Sequence, residues 1–184
     1  MIFPGRIVQI SSAAGPNFVS KCSQEIQTLL VDKNVTFKQA EERIIDPFLK
    51  IKEDATIPDE EKNAALEAIG LSDSGLAGAS YGVSKAGLNA YTVELARKYP
   101  KLLINACTPG FIETDLTRPM AERAGRTPEE MGMKGTEAGT VAAVYLMMED
   151  LAVGSGRYYG SDGVWSPLHK YRSPGDPPYD GSYP

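Results

Sequence analysis

The sequence predicts an α/β fold built around a small parallel sheet. Two apolar runs, "GRIVQISS" and "KLLINACTPG", end in polar or turn-forming residues, which is typical of buried parallel strands. A third, shorter strand is predicted at "GRYYGSDG", and helical stretches separate the three. The order strand, helices, strand, helix, strand requires right-handed crossovers between parallel strands. We therefore expect about three strands, with the first at an edge of the sheet or beside a missing neighbour.

The composition is that of an ordinary soluble domain. The chain has 184 residues, of which 42% are hydrophobic and 23% are charged. The net charge of −5 gives no electrostatic reason to expect nucleic acid or an anionic membrane as a partner. No apolar run approaches the length of a membrane span, and the N-terminus lacks the pattern of a signal peptide. We therefore expect a cytoplasmic protein that acts on a small molecule.

The first strand is predicted over residues 6–12, and the chain then changes in character over residues 17–78. This segment is charged, helix-forming and interrupted by capping residues, and it leads into a loop at "LSDSGLAGAS". Three helices are expected in it: over 22–31, from Thr36 in the capping box "TFKQ" through Phe48 and Leu49, and from Pro58 to Gly70.

The second half of the chain begins with a long helix predicted over residues 81–98, because its apolar and aromatic residues recur at helical spacing. The second strand follows and is ended by Pro109 and Gly110. Residues 111–135 are predicted to be irregular with short helical pieces, and "TPEE" within them is a capping signal. A helix is predicted at "TEAGTVAAVYLMMED". The tail over 165–184 is rich in Pro, Gly and Tyr, which favours an extended surface segment.

The cysteines and the single histidine give no support for a metal site. Cys22 and Cys107 lie far apart and fit no metal-ligand spacing, so two free thiols in a reducing compartment are expected. His169 is the only histidine, which argues against a zinc site and against a His-based catalytic triad. Cys107 precedes a turn and could be reactive, but we expect a buried, inert thiol.

The strongest local signal is "SYGVSKAG", which places Tyr81 and Lys85 four residues apart on a helix. Residues at this spacing share one face, about one turn apart. A lysine ammonium near a phenol favours the phenolate, and such a phenol can exchange a proton with a carbonyl oxygen. The alternative is a surface lysine beside a half-buried tyrosine, which the spacing by itself does not exclude.

Two further features are expected at the same edge of the sheet. Ser12 ends the first strand, and Pro109 with Gly110 ends the second, so both lie where open parallel sheets bind ligands. A serine hydroxyl there can donate to a carbonyl oxygen, or it can merely cap a turn. Gly110 allows close approach of a ligand, although an ordinary strand-ending turn explains the same residues.

Three motifs follow one another along the chain: "GRIVQISSAAG", "YGVSK" and "NACTPGFIETDL". Together they resemble the short-chain dehydrogenase/reductase family over nearly the whole chain. "KCSQEI" and "LLINACTPGFIETD" are similar to the carbonyl-reductase branch of that family. The resemblance implies the C-terminal part of a Rossmann-type doubly wound parallel sheet, as a single partial domain over 1–184. Residues 17–78 then resemble the helical insertion of that branch, residues 111–135 its substrate lid, and 165–184 its extended tail.

The same resemblance implies an activity and assigns a role to each matching residue. The activity is reversible hydride transfer between NADPH and an aldehyde, ketone or quinone carbonyl. Ser12 would orient the substrate, Tyr81 would be the general acid/base, and Lys85 would lower the tyrosine pKa and hold the nicotinamide ribose. The cofactor contacts implied are Tyr81, Lys85, Pro109, Gly110, Ile112 and Thr114, and no metal is implied.

The family's glycine-rich phosphate-binding turn, Thr-Gly-x-x-x-Gly-x-Gly, is not found in this sequence. The nearest glycine cluster, "GSGRYYGSDG", follows a helix rather than opening one, and the family's Asn-Asn-Ala-Gly strand and tetrad asparagine are also absent. The resemblance begins at the family's fifth strand, which leaves roughly 120 to 140 residues of the usual domain unmatched. We therefore expect weak NADPH binding and exposed apolar surface on this chain.

Two functions remain open at this point. One is a carbonyl-reductase-like oxidoreductase, whose complete form would be monomeric because the insertion of that branch covers the family's usual dimer face. The other is a catalytically inactive relative that acts as an interaction or structural subunit, pairing with another chain through its open sheet edge.

Overall fold

A four-stranded sheet forms the centre of the computed structural model, which describes residues 5–71, 79–151 and 154–182. The strands lie in the order β1-β2-β3-β4, where β1 is Arg6–Ile10, β2 is Leu103–Cys107, β3 is Tyr158–Tyr159 and β4 is Trp165–Ser166. The first three strands are parallel, and β4 is antiparallel to β3. The predicted α/β fold with a parallel sheet is confirmed, and β1 lies at an edge of this sheet.

Strand β2 is the most buried strand because it has a neighbour on each side. Its residues from Ile104 to Cys107 are at most 1% exposed. The Asn105 side chain joins β2 to the chain that leads into β3, donating to the Gly154 carbonyl at 3.1 Å and accepting from the Arg157 N–H at 2.8 Å. These two hydrogen bonds give the buried amide of Asn105, the one strongly polar side chain in the strand, an acceptor and a donor.

Helices cover the sheet and form the long segment between β1 and β2. In chain order the helices are α1 Ala14–Val19, α2 Gln24–Val31, α3 Phe37–Ala40, α4 Asp46–Glu53, α5 Asp59–Ala68, α6 Ala79–Lys98, α7 Arg118–Ala124 and α8 Thr136–Met148. Helix α3 continues through a π-helical turn, Glu41–Ile45, into α4.

The capping box predicted at Thr36 is present. The Gln39 N–H donates to the Thr36 hydroxyl at 3.2 Å, and the Thr36 N–H donates to the Gln39 side chain at 2.9 Å. Helix α1 was not predicted, because its short sequence "AGPNFV" follows small residues typical of a turn. The predicted loop at 71–80 lies mostly outside the described residues, and α6 begins at Ala79, before the predicted start.

The helices of the 17–78 segment share one hydrophobic core with α6. Buried side chains from α2, α4 and α5 pack with the inward face of α6 in a single cluster. Phe48 and Leu66 from the segment are 0% exposed, and Val83, Ala86 and Ala90 from α6 are at most 4% exposed. The segment is therefore packed into the domain that carries the sheet.

The segment over 111–135 contains α7 and a short parallel bridge between Ile112 and Lys134. The capping signal at "TPEE" forms its two hydrogen bonds, since the Thr127 N–H donates to Glu130 and the Glu130 N–H donates to the Thr127 hydroxyl. A turn follows it rather than a helix, so this capping pattern closes a loop here.

The prediction of an extended surface tail over 165–184 is wrong for its first part. The tail begins with β4, and both His169 and Arg172 are buried. The Arg172 guanidinium donates to the Asp162 carboxylate at 3.1 Å and to the Ser166 hydroxyl at 3.1 Å. Burial would raise the pKa of the Asp162 carboxyl, but hydrogen bonds to it outweigh that effect and lower the pKa below its usual value. An ion pair between the buried Arg172 and the partly buried Asp162, which composition does not reveal, folds this part back onto β3.

The expected exposed apolar surface is present at β1 and α8. Ile7 and Ile10 of β1 are 39% and 50% exposed. Their side chains project to opposite faces of the sheet, because side chains alternate along a strand. The outer side of α8 exposes four large apolar residues, Val141, Val144, Met147 and Met148. Among the described residues, no helix is both long and apolar enough to cross a membrane.

Candidate active site

Ser12 lies just beyond the carboxyl end of β1, in the turn that leads into α1. The Ser12 hydroxyl oxygen accepts a hydrogen bond from the Ala14 N–H at 3.1 Å, and its carbonyl accepts from the Gly15 N–H at 3.1 Å. The turn-capping role considered for this serine is therefore real. Because the oxygen acts as acceptor in this turn, its O–H proton can still be donated to a ligand.

Tyr81 and Lys85 lie one turn apart near the start of α6, as predicted. The Lys85 ammonium nitrogen is 5.4 Å from the centroid of the Tyr81 ring. It donates to the carbonyl oxygen of Ile10 at 3.0 Å, which attaches the lysine to the end of β1. Tyr81 is 37% exposed, so its ring lies at an accessible surface rather than in the core.

A close crossing of α1 and α6 holds the serine turn against the Tyr81 helix. A Cβ atom added to Gly82 would lie 2.7 Å from Cβ of Phe18, and one added to Gly15 would lie 3.1 Å from the carbonyl carbon of Lys85. Only glycine allows the two backbones to approach this closely. The crossing therefore fixes the turn that carries Ser12 beside the helical turn that carries Lys85.

The loop after β2 lies at the same edge of the sheet. The register pairs Ile10 with Cys107, so Ser12 and Pro109 each follow two residues beyond the last paired position. The Ser11 N–H donates to the Cys107 carbonyl at 2.8 Å, which extends this contact past the strand. The structure thus brings together the two strand ends that the sequence predicted to meet.

Gly110 turns the backbone sharply after Pro109, with φ of +92°. Ile112 then packs its buried side chain against α8, where a Cβ added to Gly139 would lie 3.0 Å from it. Since its side chain points into the core, what Ile112 can offer a ligand at this edge is its backbone. Pro109, Gly110, Ile112 and Thr114 all fall in this loop, as predicted, and their cofactor roles stay predictions.

Thr117 is a residue of this site that the sequence analysis missed. Its hydroxyl donates to the Ile112 carbonyl at 2.5 Å, accepts from the Thr114 N–H at 2.9 Å and lies 3.2 Å from the Thr114 hydroxyl. The available signal was a threonine three residues after Thr114, a spacing at which hydroxyls bond to nearby backbone. Thr117 therefore fixes the shape of the loop that holds Ile112 and Thr114.

Cys107 lies under the site but is not available for chemistry. The residue is 1% exposed, and burial raises the pKa of its thiol to about 11. Thiolate is the reactive form of cysteine, so this thiol is inert near neutral pH, as expected. Across residues 5–71, 79–151 and 154–182, no group of three or more His, Cys, Asp or Glu side chains could hold a metal ion.

Comparison with known proteins identifies the family. No family profile matches the chain. Carbonyl reductase [NADPH] 1 from Sus scrofa is 31% identical over 150 residues, which cover 78% of this chain and 43% of that protein. Short-chain dehydrogenase/reductase 1 from Saponaria officinalis is 30% identical over 155 residues, covering 84% of this chain and 43% of that protein. The chain belongs to the short-chain dehydrogenase/reductase family.

A solved structure agrees with this assignment. Salutaridine reductase from Papaver somniferum superposes with a TM-score of 0.56 and 25% sequence identity, over 86% of this chain and 46% of that one. This short-chain dehydrogenase/reductase chain spans less than half the length of the relatives it matches. It holds a Rossmann-like α/β portion of that family's fold.

Proposed function

We propose that this chain supplies the residues that transfer the proton in a carbonyl reductase that uses NADPH. The observation that carries the proposal is the bond from the Lys85 ammonium to the Ile10 carbonyl. That bond ties the lysine, which lies beside the Tyr81 ring, to the strand end that Ser12 follows by two residues. A phenol, an ammonium and a serine hydroxyl are thereby grouped at the ligand-binding edge of a parallel sheet.

The groups present fit the nicotinamide end of the cofactor. Lys85 has three N–H donors and uses one for Ile10, so two can reach the ribose hydroxyls. The positive φ of Gly110, which other residues rarely adopt, gives the sharp turn that keeps the loop after β2 at this edge of the sheet. When bound, NADPH would supply the hydride that adds to the carbonyl carbon of the substrate.

The residues of this chain would handle the proton and the oxygen. Tyr81 would transfer its phenolic proton to the carbonyl oxygen as negative charge develops there. The Ser12 hydroxyl would donate a hydrogen bond to the same oxygen, and its position is held by the turn into α1. The Lys85 ammonium would favour the phenolate that remains on Tyr81. The product would be an alcohol from an aldehyde or a ketone and a hydroquinone from a quinone, and the transfer would be reversible.

The test is a chimera that joins this chain to the part of the Sus scrofa carbonyl reductase that it does not match. The chimera is mixed with NADPH and one aldehyde, one ketone or one quinone, and carbonyl-dependent loss of NADPH absorbance is measured. Turnover of at least one class supports the proposal. A chimera that is folded by circular dichroism, binds NADPH and reduces none of them would contradict it.

The isolated chain is expected to bind NADPH weakly. The sequence contains no match to the family's Thr-Gly-x-x-x-Gly-x-Gly turn, so the pyrophosphate lacks its usual backbone donors. Isothermal titration of the chain with NADPH should give an affinity weaker than micromolar, and the chimera should bind more tightly. Micromolar binding by the isolated chain would show that its own residues suffice for the cofactor.

A second candidate function, as an interaction subunit, is favoured by the exposed edge of β1. One side of this strand is unpaired in the described sheet, and unpaired strand edges can add another strand. The partner would pair along β1 and cover the side chains of Ile7 and Ile10.

Charged substitutions at β1 test this association. We expect the chain to self-associate, and the double variant Ile7→Lys/Ile10→Lys to be mainly monomeric in sedimentation velocity. Lysine at a strand edge opposes pairing with a second strand. The matched control is Leu49→Lys/Leu116→Lys, which adds two charges at exposed apolar residues outside the sheet. Equal association of both variants would rule out β1 as the contact.

A further inference from the structure

A cleft of about 340 Å³ lies towards the C-terminal end of α6, away from Ser12. Its walls come from the C-terminal half of α6, the start of β3, and the chain from β4 to Tyr179. Val93 of α6 lies in this wall, twelve residues beyond Tyr81, which is about 18 Å along a helix. This opening, here called the Trp165 cleft, is therefore separate from the candidate active site.

The walls of the Trp165 cleft are mainly apolar and aromatic. Val93 and Leu168 line it, and the Trp165 and Tyr179 rings meet edge to face with centroids 4.9 Å apart. At Gly156, an added Cβ would lie 3.2 Å from Cβ of Ala96. The absence of a side chain at Gly156 therefore lets the chain before β3 pack closely against α6 at this wall of the cleft.

The charged residues that line the cleft are all positive. They are Lys33, Arg97 and Arg157, and no aspartate or glutamate is among the described lining residues. Arg97 is held in place by hydrogen bonds to the carbonyls of Lys33 and Val35, at 2.9 and 3.1 Å. The Arg157 guanidinium stacks over the Trp165 ring at 4.2 Å from its centroid. An apolar cavity whose lining charges are all positive favours a ligand that is an anion with an apolar body.

We propose that the Trp165 cleft binds a small amphipathic carboxylate, with an aromatic or aliphatic body between Trp165 and Val93. Its carboxylate would lie against Arg157, Arg97 and Lys33. Guanidinium groups suit carboxylates because their N–H donors match the two carboxylate oxygens. The cavity volume is at the lower end of small-molecule sites, which span roughly 300–1,000 Å³.

Trp165 lines the cleft and is the only tryptophan of the chain, so tryptophan fluorescence reports on binding in the cleft. The purified chain is titrated with 4-phenylbutyrate while tryptophan emission is recorded. 4-Phenylbutan-1-ol and 4-phenylbutylamine, which have the same body without the negative charge, are the matched ligands. We expect a saturable change with the carboxylate, about tenfold weaker binding of the alcohol, and still weaker binding of the amine. No saturable change, or equal affinity for all three ligands, would overturn the proposal.

Variants then locate the bound charge. Lys33→Glu should weaken 4-phenylbutyrate binding about fivefold by reversing a charge at the cleft. Lys101→Glu, the same change at an exposed lysine outside the cleft, should leave the affinity unchanged. Arg157→Met keeps an unbranched side chain over Trp165 but removes its cation, and it should also weaken binding, with circular dichroism confirming the fold. Unchanged affinity in both Lys33→Glu and Arg157→Met would overturn the proposal.

Discussion

The Tyr81→Phe variant of the chimera is expected to lose carbonyl reduction by roughly 10²- to 10⁴-fold, the range contributed by a general acid. The change removes one hydroxyl and leaves the ring beside the Lys85 ammonium, whose contact with Ile10 does not involve the phenol. NADPH affinity should therefore be largely retained. The measurement is steady-state turnover with NADPH and the best carbonyl substrate, together with a cofactor titration.

The matched control for this variant is Tyr91→Phe. Tyr91 lies on the same helix and is 39% exposed, compared with 37% for Tyr81, but it contacts the Phe37 ring instead of Lys85. This control should keep normal turnover. Equal activity of the two variants would show that Tyr81 is not the proton donor, whatever the chimera catalyses.

Phe48→Ala is expected to destabilise the chain by about 3–5 kcal/mol, as other phenylalanine truncations in protein cores do. Phe48 is 0% exposed and belongs to the core cluster that includes Val83 and Ala86 of α6. The cavity left by the ring would weaken the packing of the long segment against the helix that carries Tyr81. Native stabilities are typically about 5–15 kcal/mol, so much of the stability of the fold would be lost.

Urea unfolding followed by far-UV circular dichroism measures this loss. The control is Leu49→Ala, at the neighbouring position of α4, where the side chain is 44% exposed. It should cost less than about 1 kcal/mol, because substitutions near the surface leave little cavity. A small effect of Phe48→Ala would mean that α4 does not stabilise α6.

The features that could be predicted from sequence are those with a local cause. The buried strand at β2, the capping box at Thr36 and the one-turn spacing of Tyr81 and Lys85 each depend on residues close in the chain. Their side-chain types determine periodicity or a hydrogen bond within one helical turn. The sequence also predicted that Ser12 and Pro109 lie at the same edge of the sheet, because parallel strands place their carboxyl ends together.

The features that were missed depend on contacts between distant residues. Strand β4 and the buried part of the tail require Arg172 to meet Asp162, and a sequence rich in Pro and Gly does not show this pairing. Helix α1 is short and is stabilised by its packing on α6 through Gly15 and Gly82. Tertiary contact decided both cases, and local propensity is a weak guide there.

The crossing at Gly15 and Gly82 has a consequence for how relatives of this chain can vary. A Cβ added to either glycine would lie about 3 Å from backbone or Cβ atoms of the opposite helix, so a methyl group at either position would push the helices apart. Such a shift would carry the Ser12 hydroxyl away from the Tyr81 ring. Substitutions at these two positions are therefore expected to be coupled to each other and to Phe18, and aligned sequences of active relatives would show this dependence as covariation.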